Sequence, residues 1–71
     1  MANSKIEIIQ NNIKKYRNKR GLTQDKLSEM ASISCDYLSE IERGKKIPSL
    51  KRFIAIADAL DIPYEKFFKE K

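Results

Sequence analysis

Residues 23–44 read TQDKLSEMASISCDYLSEIERG and contain two short helical patterns separated by a turn. The hydroxyl side chains of Thr23 and Ser34 are natural N-caps, so they predict where the two helices begin. Apolar residues at helical spacing predict the inward faces, and these are Leu27, Met30, Leu38 and Ile41. The break at Ser32 and Ile33 is too short for a loop with structure of its own. We therefore expect a tight corner that leaves the outer face of the second helix free.

On the N-terminal side, helical periodicity predicts one further helix, which Gly21 ends. Its apolar face is predicted to be Ile6, Ile9, Ile13 and Tyr16. The residues between them form a basic side made of Lys14, Lys15, Arg17, Lys19 and Arg20.

On the C-terminal side, Ser49 is a natural N-cap for a fourth helix, and Pro63 suits the first turn of a fifth. The predicted apolar stripe of the fourth helix is Leu50, Phe53, Ile54, Ala57 and Leu60, with Ile56 off the stripe. We find no alternation typical of strands, no internal repeat and no linker. The prediction is a single all-α domain of five helices over residues 1–71.

Composition excludes several classes of protein. The formal net charge is +5 and the chain has no histidine, one cysteine and two glycines, so we expect no intramolecular disulfide, metal site, cofactor or glycine-rich phosphate cradle. No window approaches the roughly 20 apolar residues of a membrane span, and residues 1–10 lack a signal peptide pattern. The expectation is a cytoplasmic protein that is not an enzyme and binds neither membrane nor small molecule. Its positive charge favours a polyanionic partner.

The order of residues around the corner is specific. Gln24 follows the Thr23 cap, Leu27 comes three residues later, and YLSEIERG at residues 37–44 is followed by a basic loop with a proline. Together, over nearly the whole chain, these features resemble the phage-repressor and Cro-like (XRE-type) helix-turn-helix family. The chain is especially similar to small stand-alone members such as the controller proteins of restriction-modification systems.

The resemblance implies a five-helix, lambda-repressor-like domain with a central helix-turn-helix at about residues 23–44. It also implies a DNA-binding surface on the second helix of that unit, which enters the major groove. Gln24 lies where relatives form a hydrogen bond to a phosphate of the DNA backbone. The positions at which relatives contact the sugar-phosphate backbone are here Arg43, Lys45 and Lys46. The candidate base readers at or beside the helix are Ser34, Cys35, Asp36, Tyr37, Ser39 and Glu40.

Several of these residues have a second interpretation. Asp36 equally suits stabilisation of a helix N-terminus through the helix dipole, and Cys35 is also a small side chain that an interface tolerates. Glu40 can instead pair with a nearby basic residue. Residues 32–44 carry a net charge of −2, so the second helix of the helix-turn-helix, which we call the reading helix, is acidic. Affinity for DNA is therefore expected from the lysines that follow this helix.

Two further roles follow from the resemblance. Arg17 and Glu42 fall where relatives make a largely buried ion pair between the first helix and the reading helix. A dimerisation region is implied at about residues 53–68; the alternative is that its apolar residues only close the core of the monomer. The predicted interface residues are Ile56, Ile62, Tyr64, Phe67 and Phe68.

The leading hypothesis is a sequence-specific transcriptional regulator that binds double-stranded DNA as a homodimer. One reading helix covers only a few base pairs, so we expect a two-fold dimer on a pseudo-palindromic operator, with its reading helices about 34 Å apart. A repressor and a restriction-modification controller are both compatible, with contact to RNA polymerase as an added possibility. The alternative hypothesis is an antitoxin-type module that binds a partner protein and whose DNA binding is autoregulatory.

Overall fold

The computed structural model describes residues 4–70 and consists of four α-helices followed by a short 3-10 helix. In chain order the elements are α1 (Lys5–Lys19), α2 (Gln24–Ala31), α3 (Cys35–Glu42), α4 (Leu50–Leu60) and the 3-10 helix (Tyr64–Phe68). No strand occurs in this part of the chain, and the predicted all-helical class is confirmed. The predicted domain covers residues 1–71, of which residues 1–3 and 71 lie outside the described residues.

A hydroxyl side chain begins each of the four α-helices. In every case the hydroxyl oxygen accepts a hydrogen bond, 3.0–3.2 Å long, from the backbone N–H three residues later. These bonds satisfy donors that have no partner within the helix. The four capping residues are Ser4, Thr23, Ser34 and Ser49. The last three were expected from the sequence, whereas Ser4 was not.

The four α-helices also end in the same way, with a residue in the left-handed backbone conformation. Gly21 and Gly44 have φ angles of 71° and 77°, and Ser32 and Asp61 have φ angles of 58°. The N–H of the following residue then donates to a carbonyl five residues earlier, which is the hydrogen bond of a Schellman motif. This geometry turns the chain sharply, so the connection between α2 and α3 is as tight as the sequence predicts.

The core lies where all the elements meet. Its fully buried large side chains are Ile13, Leu27, Leu38, Ile41, Ile56, Leu60 and Phe67. The ring of Phe67, from the 3-10 helix, packs edge-on against Tyr16 of α1 and Phe53 of α4, each with a centroid distance of 5.3 Å. The C-terminal segment therefore closes the core between α1 and α4.

Two apolar residues predicted to face inward lie at the surface. Ile6 is 39% exposed and Met30 is 46% exposed. Ile8 and Ala31 are buried instead. Ile6 lies in the first turn of α1 and Met30 lies in the last turn of α2. Periodicity identifies the inward side of a helix, but it does not show whether another element packs against that side at the helix ends.

The predicted stripe of α4 was wrong at three positions. Ile56, expected off the stripe, is completely buried, whereas Leu50 is 73% and Ile54 is 37% exposed. The buried residues are Phe53, Ile56, Ala57 and Leu60, which have the i, i+3, i+4, i+7 spacing of a single helix face. Ile56 therefore belongs to the monomer core.

The fifth element is a 3-10 helix of five residues where a further helix was predicted. Pro63 stands at its N-cap position, just ahead of the first turn in which it was expected. The side-chain amide of Asn12 in α1 donates 2.7 Å hydrogen bonds to the backbone oxygens of Phe67 and Lys69. These carbonyls are therefore satisfied by α1, so the segment needs no further helical turns to pair them.

Candidate nucleic-acid interface

The corner between α2 and α3 leaves one side of α3 uncovered. Leu38, Ile41 and Glu42 form the buried side of this helix. On the opposite side, at i, i+3, i+4, i+7 spacing, lie Asp36, Ser39, Glu40 and Arg43, which we call the outer face of α3. Asp36 and Arg43 are exposed, and Ser39 and Glu40 are half-buried. Four of the predicted DNA-binding residues therefore share one continuous face.

The two candidates at the start of α3 each interact with a group inside the protein. The Ser34 hydroxyl accepts a 3.0 Å hydrogen bond from the N–H of Tyr37. Cys35 is half-buried, and a hydrogen bond to Asp25 of α2 is the main cause that raises the pKa of its thiol. Cys35 therefore lies beside α2, at the edge of the outer face of α3.

Three N–H groups converge on the buried carboxylate of Glu42. Arg17 donates from Nε and Nη2 at 2.7 and 2.9 Å, which makes the ion pair anticipated from the sequence bidentate. Gln24 donates from Nε2 at 3.0 Å. The hydrogen bond from Arg17 to Glu42 raises the pKa of the guanidinium further above its ordinary value. One carboxylate thus joins α1, α2 and α3, and it orients Gln24, the predicted phosphate-binding residue.

The loop after α3 carries the predicted backbone cations. Lys45 and Lys46 are exposed, and the side-chain amide of Gln10 in α1 holds the loop by donating to the Lys46 carbonyl at 2.8 Å. The ammonium group of Lys46 lies 3.6 Å from the carboxylate of Glu40. Glu40 is therefore paired with a nearby basic residue, which is the second interpretation given for it above.

Tyr37 connects α3 to the first turn of α4. Its hydroxyl accepts a 3.1 Å hydrogen bond from the N–H of Ser49. Lys46 Nζ lies 5.7 Å and Arg52 Cζ lies 5.1 Å from the centroid of its ring. Arg52 was not among the predicted residues. The signal that points to it is residues 45–52, KKIPSLKR, which contain four cations and no acid.

The predicted dimer surface needs correction at two of its five residues. Ile56 and Phe67 are both completely buried within a single chain, so neither is available to a partner. Ile62 is half-buried, and Tyr64 and Phe68 are 45% and 43% exposed. The Tyr64 hydroxyl donates to Asp58 at 2.7 Å, and this bond raises the pKa of the phenol.

An apolar groove lies next to Phe68. We use this name for the surface lined by Ile6, Ile9, Ile47, Pro48, Leu50, Phe53 and Phe68. Leu50 is 73% and Ile47 is 60% exposed, the highest values among the large apolar side chains of residues 4–70. Sequence reasoning placed Leu50 in the core and assigned no role to Ile47, because helical spacing alone does not show that the first turn of α4 extends beyond the core.

Within residues 4–70 no group of three or more histidine, cysteine, aspartate or glutamate side chains is arranged to hold a metal ion. No helix in that range is long and apolar enough to cross a membrane.

The sequence matches a known family model and several known proteins. The model of a family described as "Helix-turn-helix" covers residues 13–67. The transcriptional regulator ClgR of Mycobacterium tuberculosis is 40% identical over 57 residues, which are 80% of this chain and 51% of that protein. The immunity repressor protein of Bacillus phage phi105 is 48% identical over 50 residues, or 70% of this chain and 35% of the repressor. The chain thus spans about half of the length of ClgR.

Solved structures show the same fold. The restriction-modification controller protein C.AhdI of Aeromonas hydrophila superposes with a TM-score of 0.84 at 27% identity, covering 89% of this chain and 96% of that one. The N-terminal DNA-binding domain of SinR from Bacillus subtilis gives a TM-score of 0.82 at 32% identity, with coverages of 92% and 96%.

Proposed function

The chain belongs to the helix-turn-helix family of DNA-binding transcriptional regulators, and from this we propose that it is a homodimeric, sequence-specific regulator of transcription. The observation that carries the proposal is the outer face of α3. It is continuous and uncovered, and it is followed directly by the exposed cations Lys45 and Lys46. A surface for base edges thus lies beside groups that attract phosphate.

The proposal includes two kinds of contact with DNA, one to the backbone and one to the base edges. Gln24, Lys45 and Lys46 bind the sugar-phosphate backbone, which supplies affinity for every DNA sequence. The outer face of α3 enters the major groove, where Asp36 and Glu40 accept hydrogen bonds from cytosine amino groups. Because carboxylates are repelled by phosphate, this face favours a site rich in such donors.

A second copy of the chain completes the site. The apolar groove exposes Ile47, Leu50 and Phe68, and contiguous exposed apolar patches often mark interaction sites. We assign the dimer contact to this groove together with Tyr64 and Ile62. A two-fold axis there gives each operator two reading helices about 34 Å apart, one turn of B-DNA.

Repression by occupancy is the simplest regulatory action of such a dimer. A protein that covers a promoter prevents RNA polymerase from binding, and no further domain is needed for that effect. The similarity to an immunity repressor and to a restriction-modification controller supports a role of this kind.

The test is selection of bound duplexes from random DNA at a stated salt concentration. The expected product is a pseudo-palindrome whose half-sites are centred about 10 base pairs apart. Lys45→Ala should weaken binding to all sequences and lower the salt slope by about 1.8 per bound dimer, since about 0.9 is lost for each of the two phosphate contacts. Lys66→Ala, which removes a charge from the 3-10 helix, is the matched control and should leave the slope unchanged. Recovery of no preferred sequence would contradict the proposal.

A further inference from the structure

Tyr37 stands between two cations that belong to different parts of the chain. Lys46 comes from the loop after α3, and Arg52 comes from the first turn of α4. Their charged groups lie 5.7 and 5.1 Å from the centre of the Tyr37 ring, which is within the range of a cation–π contact. The Tyr37 hydroxyl is bonded to the N–H of Ser49, so the ring is fixed from its far end.

Such contacts have a consequence for binding. Long basic side chains lose much conformational freedom when they are fixed on a ligand, and holding them beforehand lowers that cost. Arg52 is exposed, and among residues 4–70 no carboxylate lies within ion-pair distance of its guanidinium. Its charge is therefore available to an external anion, while its position is restrained by the ring.

The location of this pair indicates which anion it meets. The Lys46 ammonium lies 3.6 Å from the carboxylate of Glu40, which belongs to the outer face of α3. Arg52 lies against the same Tyr37 ring as Lys46, so both cations flank that face. Residues 32–44 carry a net charge of −2, whereas residues 45–52 carry four positive charges and no negative one. When the outer face of α3 lies in a groove, the cations beside it are directed at the phosphates that border the groove.

We propose that Arg52 is a further phosphate-binding residue, and that Tyr37 is a positioning residue that holds Lys46 and Arg52 for the DNA backbone. The inference rests on the proposed function and extends the interface from the loop onto the first turn of α4. It also changes the expected role of Tyr37. The Tyr37 ring positions the two cations, and the outer face of α3 recognises the bases.

Arg52→Ala tests the first part, with Lys51→Ala as the matched control. Lys51 is the preceding residue of α4, is also exposed, and is not in contact with the Tyr37 ring. Binding to the selected duplex and to a duplex of unrelated sequence is measured over a range of salt. Arg52→Ala should lower the slope by about 1.8 per bound dimer on both duplexes, about 0.9 for each of the two contacts, and Lys51→Ala should leave it unchanged. A salt slope for Arg52→Ala equal to that of the parent chain would overturn the proposal.

Tyr37→Phe and Tyr37→Leu test the positioning role. Phenylalanine keeps the ring and loses the hydroxyl, so Tyr37→Phe should retain the difference between Arg and Ala at position 52. Tyr37→Leu removes the ring, and Arg52→Ala should then weaken binding less than it does in the parent chain. Full additivity of Tyr37→Leu and Arg52→Ala would contradict the role of the ring. Thermal unfolding of each variant verifies that it is folded.

The proposed function and this inference fail in different ways. If the parent chain selects a pseudo-palindrome but Arg52→Ala binds it with the parent salt slope, only the inference is wrong. If the parent chain prefers no sequence, the proposed function is wrong whatever position 52 contributes.

Discussion

At the scale of single residues, Glu42 differs from the surface carboxylates because its side chain is buried and hydrogen-bonded. Its side chain is 2% exposed and receives hydrogen bonds from both Arg17 and Gln24. Burial of a carboxylate is unfavourable unless its oxygens are bonded, and here the three donors compensate for the lost water. The same carboxylate fixes the side chain that is proposed to meet phosphate, so the stability of the corner and the geometry of the interface are coupled.

Replacement of Glu42 by alanine is expected to destabilise the protein by about 3–5 kcal/mol, because the Arg17 charge is left buried without its partner. The measurement is the free energy of unfolding in denaturant. Glu29→Ala is the control, since Glu29 is 77% exposed and lies 4.0 Å from Lys26; there we expect a change below about 0.5 kcal/mol. Similar values for the two variants would show that the Glu42 network does not stabilise the corner.

At the scale of elements, the helices depend on their ends as much as on their faces. α2 and α3 have only eight residues each, and helices of this length are marginal in isolation. A serine or threonine cap at the start and a left-handed residue after the end satisfy backbone groups that would otherwise be unpaired. The 3-10 helix is a different case, because it has no side-chain cap and is attached to α1 through Asn12.

Asn12→Ala should therefore release the C-terminal segment selectively. It removes two hydrogen bonds, one buried and one partly buried, and we expect a loss of about 1–3 kcal/mol from leaving the two carbonyls unpaired. The backbone amides of Lys66 and Lys69 should then exchange with solvent faster relative to amides in the middle of α4. Asn11→Ala is the matched control, since Asn11 is the exposed neighbour. Unaltered exchange at Lys66 and Lys69 would show that Asn12 does not anchor the segment.

At the scale of the whole molecule, two surfaces with different chemistry are present. One surface is the outer face of α3 with its flanking cations, and the other is the apolar groove around Leu50 and Phe68. A chain of this size buries only about 60% of the surface that it exposes when unfolded. Covering the apolar groove with a second copy adds burial that the monomer lacks, and it also supplies the second reading helix.

Leu50→Glu is expected to prevent this association and leave the monomer folded, because the side chain is 73% exposed. Sedimentation should show a monomer where the parent chain is a dimer, and binding to the selected pseudo-palindrome should weaken. The control is Met30→Glu, an exposed apolar residue outside the apolar groove, which should remain dimeric. A dimeric Leu50→Glu variant would exclude the apolar groove as the interface.

Much of the fold was predictable because its signals are local. The caps at Thr23, Ser34 and Ser49, and the glycines that end α1 and α3, act within one turn of helix, so they can be identified from neighbouring residues. The position of Ile56 was not predictable in this way. It depends on which side of α4 meets the other helices, and two faces of α4 carry apolar residues at helical spacing.

The candidate site divides in a similar manner. The outer face of α3 follows from the spacing of Asp36, Ser39, Glu40 and Arg43, and the basic loop is visible as consecutive lysines. Contacts between distant residues are not visible in this way. Examples are the amide of Gln10 on the Lys46 carbonyl, 36 positions away, and the guanidinium of Arg52 beside the ring of Tyr37.

The amino-acid sequence alone therefore determines the helical class, the corner between α2 and α3 and the outward face of α3, because periodicity and capping operate over a few residues. The tertiary structure alone decides that Ile56 and Phe67 close the core while Leu50 and Ile47 remain exposed. It also decides that Lys46 and Arg52 share one aromatic ring. These outcomes depend on how separate helices pack, and packing brings together residues that no local pattern connects.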